Sequence, residues 1–120
     1  MKKAVLIAVP IDFQRELAIF EETVPVSPPL GILAIGSYLS AHSMAVELID
    51  VQMDFGFSLS DEGQRAVLRR VVDHLTAEAG EIAWIGISQP ATSGTGVAIA
   101  NLVHVALPDL PIVLGGYFAT

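Results

Sequence analysis

Four short apolar segments alternate along the chain with three stretches of helical periodicity. The apolar segments are 4–9, 45–49, 82–87 and 112–114, and their valine and isoleucine content is typical of strands buried on both faces. The helical stretches are 30–41, 62–77 and 96–107. The order β-α-β-α-β-α-β predicts right-handed crossovers and therefore an open, parallel α/β sheet.

The three helical stretches differ in how clearly they show a face for the sheet. Residues 62–77 are amphipathic, with one apolar stripe of Leu68, Val71, Val72 and Leu75. Residues 96–107 are apolar nearly all round. In the first stretch, Gly31 and Gly36 allow close packing on a sheet, and the apolar residues that give the helical pattern are Leu30, Leu33, Ala34, Ile35, Tyr38 and Leu39.

Composition limits the classes of function. The chain has 120 residues, enough for one domain, and a net charge of -7 with only 6 Lys and Arg, which argues against nucleic acid and anionic membranes as partners. It has no cysteine, which excludes a disulfide scaffold, a thiolate zinc site and a cysteine-held iron–sulfur cluster within this chain. No uncharged run is suited to crossing a membrane. A cytoplasmic location is expected.

The carboxyl ends of the predicted strands locate a candidate ligand site. Open parallel sheets bind ligands beyond these ends, where the strand order reverses. Here the strands end at Pro10, Asp50, Ser88 and Gly115. The pair Gly115-Gly116 lets another molecule approach the backbone closely, because neither residue has a Cβ.

Two predicted loops differ from ordinary connections. The first, 10–29, contains four prolines and is long enough to be functional or disordered. The second, 51–59, contains Met53, Phe55 and Phe57. These side chains either present a surface to a flat apolar ligand or a partner domain, or tuck under the loop.

Few side chains suggest catalysis. His42, His74 and His104 fall on helical stretches away from the carboxyl ends, so we expect structural or solvated roles, and no His/Asp/Glu cluster has metal-ligand spacing. Asp50 either binds a ligand or caps the following turn. Hydroxyl groups follow the third strand at Ser88, Thr92 and Ser93; they suit amides, phosphates or an aromatic nitrogen, although Ser93 alternatively caps a helix.

Nucleotide-binding motifs are absent or misplaced. Gly94 and Gly96 begin a G-x-G pattern, but it follows the third strand, and position 99 holds isoleucine where a small residue belongs. A flavodoxin carries a Ser/Thr-rich phosphate loop after its first strand, where this chain has Pro10 to Phe13. A flavin or nucleotide enzyme is therefore disfavoured.

Several motifs together resemble one known family. They are PPLGIL at 28–33, SYL at 37–39, VELID at 46–50, IGIS at 85–88 and IVLGGYFAT at 112–120. In this order they look like the amino-terminal cobalamin-binding domain of the cobalamin (B12)-dependent radical SAM enzymes, whose pattern runs roughly P-P-L-G-L, Y-L, V-x-L-I-D, G-I-S and V-L-G-G-x-H-A-T. The resemblance spans nearly the whole chain.

The resemblance implies a three-layer, flavodoxin-like (Rossmann-like) fold that binds cobalamin. The corrin ring would lie on the carboxyl edge of the sheet, and the nucleotide tail would run down beside it. The cofactor-binding residues implied in this way are Pro10, Pro29, Leu30, Gly31, Asp50, Val51, Gln52, Ser88, Thr92, Gly115 and Gly116.

Three departures from related patterns qualify that expectation. Cobalamin-binding mutase domains use D-x-H-x-x-G, with a histidine ligand for cobalt; here Gln52 stands at that place and Gly56 comes one position late. We therefore expect no histidine ligation from this loop. Phe118 replaces the histidine of G-G-x-H. The three-cysteine cluster motif is missing, so an iron–sulfur cluster and S-adenosylmethionine are expected only in a downstream domain.

The resemblance and the missing fifth strand together predict the chain's organisation. Residues 1–120 are expected to be one domain, an amino-terminal piece of a longer protein truncated after the fourth strand. If the first and fourth strands are neighbours, the fourth is an exposed edge and the fragment self-associates. The predicted function is a cobalamin-binding module of a radical SAM methyltransferase or related enzyme. The alternative is a cofactor-free α/β interaction or regulatory module.

Overall fold

The apolar segments form the four strands of one parallel sheet. The structure is a computed structural model that describes residues 2–9, 30–56, 58, 60–88 and 95–115. Strands β1 (Lys3–Ala8), β2 (Val46–Asp50), β3 (Ile82–Ser88) and β4 (Ile112–Gly115) each lie within one residue of the predicted bounds. All three strand pairings are parallel, so the predicted open α/β sheet is confirmed.

Four α-helices connect or follow the strands in the described part of the chain. They are α1 (Leu30–Ala41), α2 (Val51–Phe55), α3 (Asp61–Ala77) and α4 (Thr95–Ala106), and a 3-10 turn (Ala79–Glu81) follows α3. The sequence predicted α1, α3 and α4 but a loop in place of α2. The Asp50 side chain caps α2 by accepting from the Met53 N–H at 3.3 Å, and Gly56 ends it at a φ of 102°.

The strand order in the sheet is β2-β1-β3-β4. It is the beginning of the flavodoxin-like order, in which the chain reverses direction across the sheet between β1 and β3. The fourth strand therefore lies beside β3, and the supposition that it neighbours the first strand is wrong. Within the described residues β4 is nevertheless an edge strand, because no strand pairs with its far side.

The main core lies between one face of the sheet and the helices α3 and α4. Alternate residues of the central strands point to this face, because side chains in a strand alternate between its two sides. The stripe predicted on α3 faces the same core, with Val72 only partly buried. The core residues are Val5, Ile7, Ile49, Val51, Val67, Leu68, Val71, Leu75, Ile82, Ile85, Ile87, Ile99 and Val103.

Helix α1 packs on the opposite face and completes three layers. A Cβ at Gly36 would lie 3.1 Å from Leu48 Cδ2, so the glycine allows close packing on β2 as expected. Ile32 is buried, but four of the apolar residues in the predicted helical pattern are exposed: Ala34, and Leu33, Ile35 and Tyr38 at 39%, 50% and 64%. The helix approaches β2 through Gly36, whose Cβ position faces Leu48 and Val46.

The helices found among the described residues are too short or too polar to cross a membrane.

Replacing Leu75 by alanine tests the core between α3 and the sheet. Leu75 is fully buried, so Leu75→Ala is expected to lower the free energy of unfolding by about 2–5 kcal/mol, since it removes buried methyl groups and leaves a cavity. Urea denaturation followed by circular dichroism measures the change. The matched control is Leu102→Ala on α4, where the side chain is 45% exposed and the expected loss is about 1 kcal/mol or less. Equal losses in the two variants would contradict this packing.

Candidate functional site

One row of residues crosses all four strands at the carboxyl edge. The strand register pairs Asp50 with Ala8, Ala8 with Ser88, and Ser88 with Gly115. Three predicted site residues therefore share this row, although they are far apart in sequence. Alanine, serine and glycine are small, so the row leaves open space over the two central strands and β4.

A pocket lies on the α1 side of this row. We call it the sheet-edge pocket; its volume is about 280 Å³. It passes beneath the start of α1 and extends down β3, whose alternate residues Trp84, Gly86 and Ser88 all line it. The other described lining residues are Leu6, Gly31, Ile32, Ile35, Ile87, Val113 and Gly115.

The three glycines of the sheet-edge pocket have different surroundings. A Cβ at Gly86 would lie 2.9 Å from Leu6 Cδ2 and 3.0 Å from Trp84 Cζ3, so internal packing itself requires glycine there. Among the described residues, no atom lies within 4 Å of the position that a Cβ would take at Gly31 or at Gly115. Internal packing therefore does not explain these two glycines, whose missing side chains leave the pocket open.

The chemical character of the sheet-edge pocket is apolar. None of the described residues that line it carries a charge. Apart from the Trp84 indole N–H, the only polar side chain among these described lining residues is the hydroxyl of Ser88, in the row at the carboxyl edge. A small apolar cavity with one or two polar groups suits a flat, largely apolar ligand group, because a charged group would lose its hydration without gaining a partner.

Asp50, Val51 and Gln52 are not among the described residues that line this pocket. Asp50 caps α2, as its alternative role required, and its own N–H donates to Asp54 Oδ2 at 2.9 Å. Val51 is fully buried in the main core on the other face, and Gln52 is half-buried in α2. Leu30 begins α1. Four further predicted residues lie outside the described residues: Pro10, Pro29, Thr92 and Gly116.

The side chains of the segment after β2 show both predicted arrangements, because one is packed inside the protein and another is exposed. Phe55 packs against the main core, with its ring centroid 5.8 Å from that of His74, and its carbonyl accepts from Arg70 at 2.7 Å. Met53 is 65% exposed. Phe57 lies outside the described residues, as does Ser93, the alternative helix cap.

A cluster of polar side chains lies near the opposite end of the strands, away from the sheet-edge pocket. Lys3 Nζ lies 2.5 Å from Glu47 Oε1 and 2.8 Å from Glu78 Oε2. His74 Nε2 lies 2.7 Å from Glu47 Oε2 and 3.3 Å from Glu78 Oε2. We call these four residues the amino-end network. They join β1 and β2 to the end of α3.

The amino-end network was not anticipated from the sequence. Its ligand-type atoms from Glu47, His74 and Glu78 lie within 4.8 Å of one another, so the expectation of no such cluster is wrong. The one sequence feature that could have indicated this network was the i, i+4 spacing of His74 and Glu78 at the end of a helix. The Lys3 ammonium already provides positive charge to both carboxylates, and the geometry is that of an ion-pair network. His42 and His104 are exposed, as expected.

Two groups of the amino-end network have shifted pKa values. Burial alone would raise the pKa of Glu47, but hydrogen bonds with Lys3, His74 and Glu78 outweigh it and hold that pKa below its usual range. Hydrogen bonds to Glu47 and Glu78 raise the pKa of Lys3. Ionised Glu47 therefore stabilises the fold above its unfolded pKa of about 4.3, and this contribution is lost as the pH falls through the folded value. Charged Lys3 stabilises the fold below its own unfolded pKa, and this contribution is lost as the pH rises through its raised folded value.

Comparison with protein-family models, curated proteins and solved structures found no match to this chain.

The charge of Glu47 is tested by Glu47→Gln. At pH 7 we expect the free energy of unfolding to fall by on the order of 1 kcal/mol, because Lys3 and His74 lose a partly buried charged acceptor. The difference from wild type should shrink as the pH falls below about 4, where Glu47 itself becomes neutral. Urea denaturation at a series of pH values measures this. Glu62→Gln, at an exposed position on α3, is the control. A difference independent of pH would contradict the electrostatic explanation.

Proposed function

We propose that this chain is a cobalamin-binding module of a radical SAM enzyme, with methyl transfer as the reaction class it serves. The supporting observation is the sheet-edge pocket, which opens beside the reversal of strand order between β1 and β3. Gly31, Ser88 and Gly115, which the family resemblance implies as cofactor-binding residues, all line it.

The described residues fit the nucleotide tail of cobalamin better than they fit the whole cofactor. A volume of about 280 Å³ suits a flat ring system, and Gly31 and Gly115 leave room where a Cβ would intrude. In this proposal Ser88 exchanges a hydrogen bond with the tail or with a corrin amide. The corrin ring would lie above the small residues Ala8, Ser88 and Gly115.

Bound cobalamin would supply cobalt chemistry that amino-acid side chains lack. The chain's own contribution would be to bind and orient it at the carboxyl edge. Gln52 stands where related domains have a histidine ligand, so we propose that α2 provides no imidazole to cobalt. An iron–sulfur cluster and S-adenosylmethionine would belong to a downstream radical SAM domain, because this chain has no cysteine. A cytoplasmic location remains part of the same proposal.

Binding of hydroxocobalamin tests the proposed function directly. The protein is mixed with the cofactor and desalted, and the visible spectrum of the protein fraction is recorded. We expect retained chromophore in the wild type and its loss in Gly31→Leu and Gly115→Val, whose new side chains project into the sheet-edge pocket. No described neighbour occupies the place of a Cβ at either position, so the variants should fold normally.

The matched control for these variants is Gly80→Ala. Gly80 also has free space for a Cβ, but it lies in the 3-10 turn after α3, outside the sheet-edge pocket. This variant should retain cobalamin like the wild type. Folded wild-type protein that retains no chromophore, or equal retention in all variants, would overturn the proposal.

A role in assembly is the second candidate function, and one feature favours it. The outer edge of β4 has no partner strand among the described residues, and Val113 on it is 56% exposed. On α4, Leu102 and Val105 are also exposed, at 45% and 83%. Residues 82–108 contain no charged side chain, so this region adds no like-charge repulsion between copies that each carry a net charge of -7.

Light scattering at increasing protein concentration tests self-association through this edge. We expect the wild type to form dimers or larger species, because unpaired strand edges invite pairing. Val113→Lys should shift the protein toward the monomer, since a charge on the edge strand disfavours pairing. Tyr38→Lys is the control, because Tyr38 is 64% exposed on α1 and is not part of the β4 edge. A monodisperse wild-type monomer at high concentration would contradict this candidate.

A further inference from the structure

A groove lies between α3 and α4, on the opposite side of the sheet from the sheet-edge pocket. We call it the α3–α4 groove; its volume is about 250 Å³. Apolar side chains of both helices line it, together with exposed charged side chains of α3. The described lining residues are Arg65, Leu68, Arg69, Val72, Asp73 and Leu102.

Half of the Lys and Arg side chains of this acidic chain lie on α3. The chain has a net charge of -7 and 6 Lys and Arg residues, of which Arg65, Arg69 and Arg70 belong to this helix. The Arg70 guanidinium donates to the Phe55 carbonyl at 2.7 Å, so it is used within the fold. Arg65 and Arg69 are exposed, and among the described residues neither side chain has a hydrogen-bond or ion-pair partner. Both guanidinium groups can therefore pair with groups of another molecule.

The charges of the α3–α4 groove have a fixed order along α3. Arg65, Arg69 and Asp73 are spaced four residues apart, so they follow one another at about 6 Å along one side of the helix. The other acidic residues of α3, Asp61 and Glu62, lie in its first turn, where negative charge stabilises the start of a helix. A complementary partner therefore has two acidic groups one helical turn apart, and no acidic group beside Asp73.

Exposed apolar side chains of α4 adjoin these charges. Leu102 lines the α3–α4 groove and is 45% exposed, and Val105, three residues further on the same face of the helix, is 83% exposed. From α3, Leu68 is buried and Val72 half-buried, so they form the floor of the groove. A groove between two helices with an apolar floor and charged margins suits a third helix, whose apolar face packs into it.

We propose that the α3–α4 groove is a docking site for an amphipathic helix of a partner protein. One apolar side chain of that helix lies beside Leu102, and two acidic side chains, one turn apart, pair with Arg65 and Arg69. A helix brings only these two charges to the arginines. An anionic membrane or a nucleic acid presents negative charge over a wide area and is repelled by the net charge of -7. The site is independent of the cobalamin proposal, which concerns the other side of the sheet.

Three synthetic peptides test the charge of the partner helix. Each is a capped, alanine-rich peptide of about 16 residues with one stripe of leucines and a fluorescein label. Beside the stripe, two positions one turn apart hold glutamate, glutamine or lysine. Fluorescence anisotropy measures each dissociation constant. We expect the glutamate peptide to bind about tenfold more tightly than the lysine peptide, because two attractive pairs replace two repulsive ones. The difference should shrink as the NaCl concentration rises.

Matched variants locate this binding in the α3–α4 groove. Arg65→Gln and Arg70→Gln remove the same charge from the same helix, but of the two residues only Arg65 lines the groove. We expect Arg65→Gln to weaken binding of the glutamate peptide about threefold and Arg70→Gln to leave it nearly unchanged. The double variant Arg65→Glu/Arg69→Glu should prefer the lysine peptide. Circular dichroism confirms that each variant is folded before it is titrated.

Two further variants separate the apolar contact of the groove from the edge of the sheet. Leu102→Ala should weaken binding of all three peptides about fivefold, because it removes the apolar contact that they share. Val113→Lys changes the edge strand β4, which does not line the groove, and should bind the peptides like the wild type. Peptide binding that Val113→Lys abolishes and Leu102→Ala leaves intact would contradict docking in the α3–α4 groove.

Three other results would overturn the proposal. They are equal affinity for the three peptides, equal effects of Arg65→Gln and Arg70→Gln, and no binding of the glutamate peptide up to about 1 mM. Vesicles of phosphatidylglycerol test the alternative partner. Co-sedimentation with these vesicles that Arg65→Gln reduces, without peptide binding, would assign the groove to a membrane and overturn the proposal as well. None of these measurements involves a corrinoid, so this proposal and the cobalamin proposal fail separately.

Discussion

The pairing of β1 with both β2 and β3 is the constraint on which the rest of the structure depends. Residues Ala4 to Ile7 are buried on both faces of the sheet, and their register with the two neighbouring strands fixes which side chains share each row. That register brings Asp50, Ala8, Ser88 and Gly115 into line at one edge. A slip of one residue would turn Ala8 and Leu6 toward the α3 side and abolish the sheet-edge pocket.

The architecture could be predicted from the sequence because buried parallel strands have a distinctive pattern. Runs such as 82–87 are apolar without alternation, and the amphipathic period of α3 is unambiguous. The orientation of α1 could not be predicted, because most of its surface is apolar. There, the small size of Gly36 decided which side meets β2. The short helix α2 was missed because its signals, Asp50 and Gly56, are equally typical of a turn.

Only part of the candidate site could be predicted from the sequence, because the rest depends on contacts between residues that are distant along the chain. Strand ends identify an edge, so the positions of Ser88 and Gly115 along the chain were enough to assign them to it. The depth of the pocket depends on contacts across strands, such as Leu6 with Trp84 over Gly86, which no local pattern reveals. The amino-end network has the same origin, since Lys3, Glu47 and His74 meet only after the sheet and α3 have formed.

The glycines of the sheet-edge pocket give sequence variation a specific meaning at three positions. The fold itself demands glycine at 86, where a side chain would collide with Leu6 and Trp84. At 31 and 115 the described neighbours impose no such demand. If the sheet-edge pocket binds a ligand as proposed, descendants of this chain that lost this binding but kept the fold would vary at 31 and 115 and retain glycine at 86. Substitutions at positions 31 and 115 would then mark a loss of ligand binding that leaves the stability of the fold unchanged.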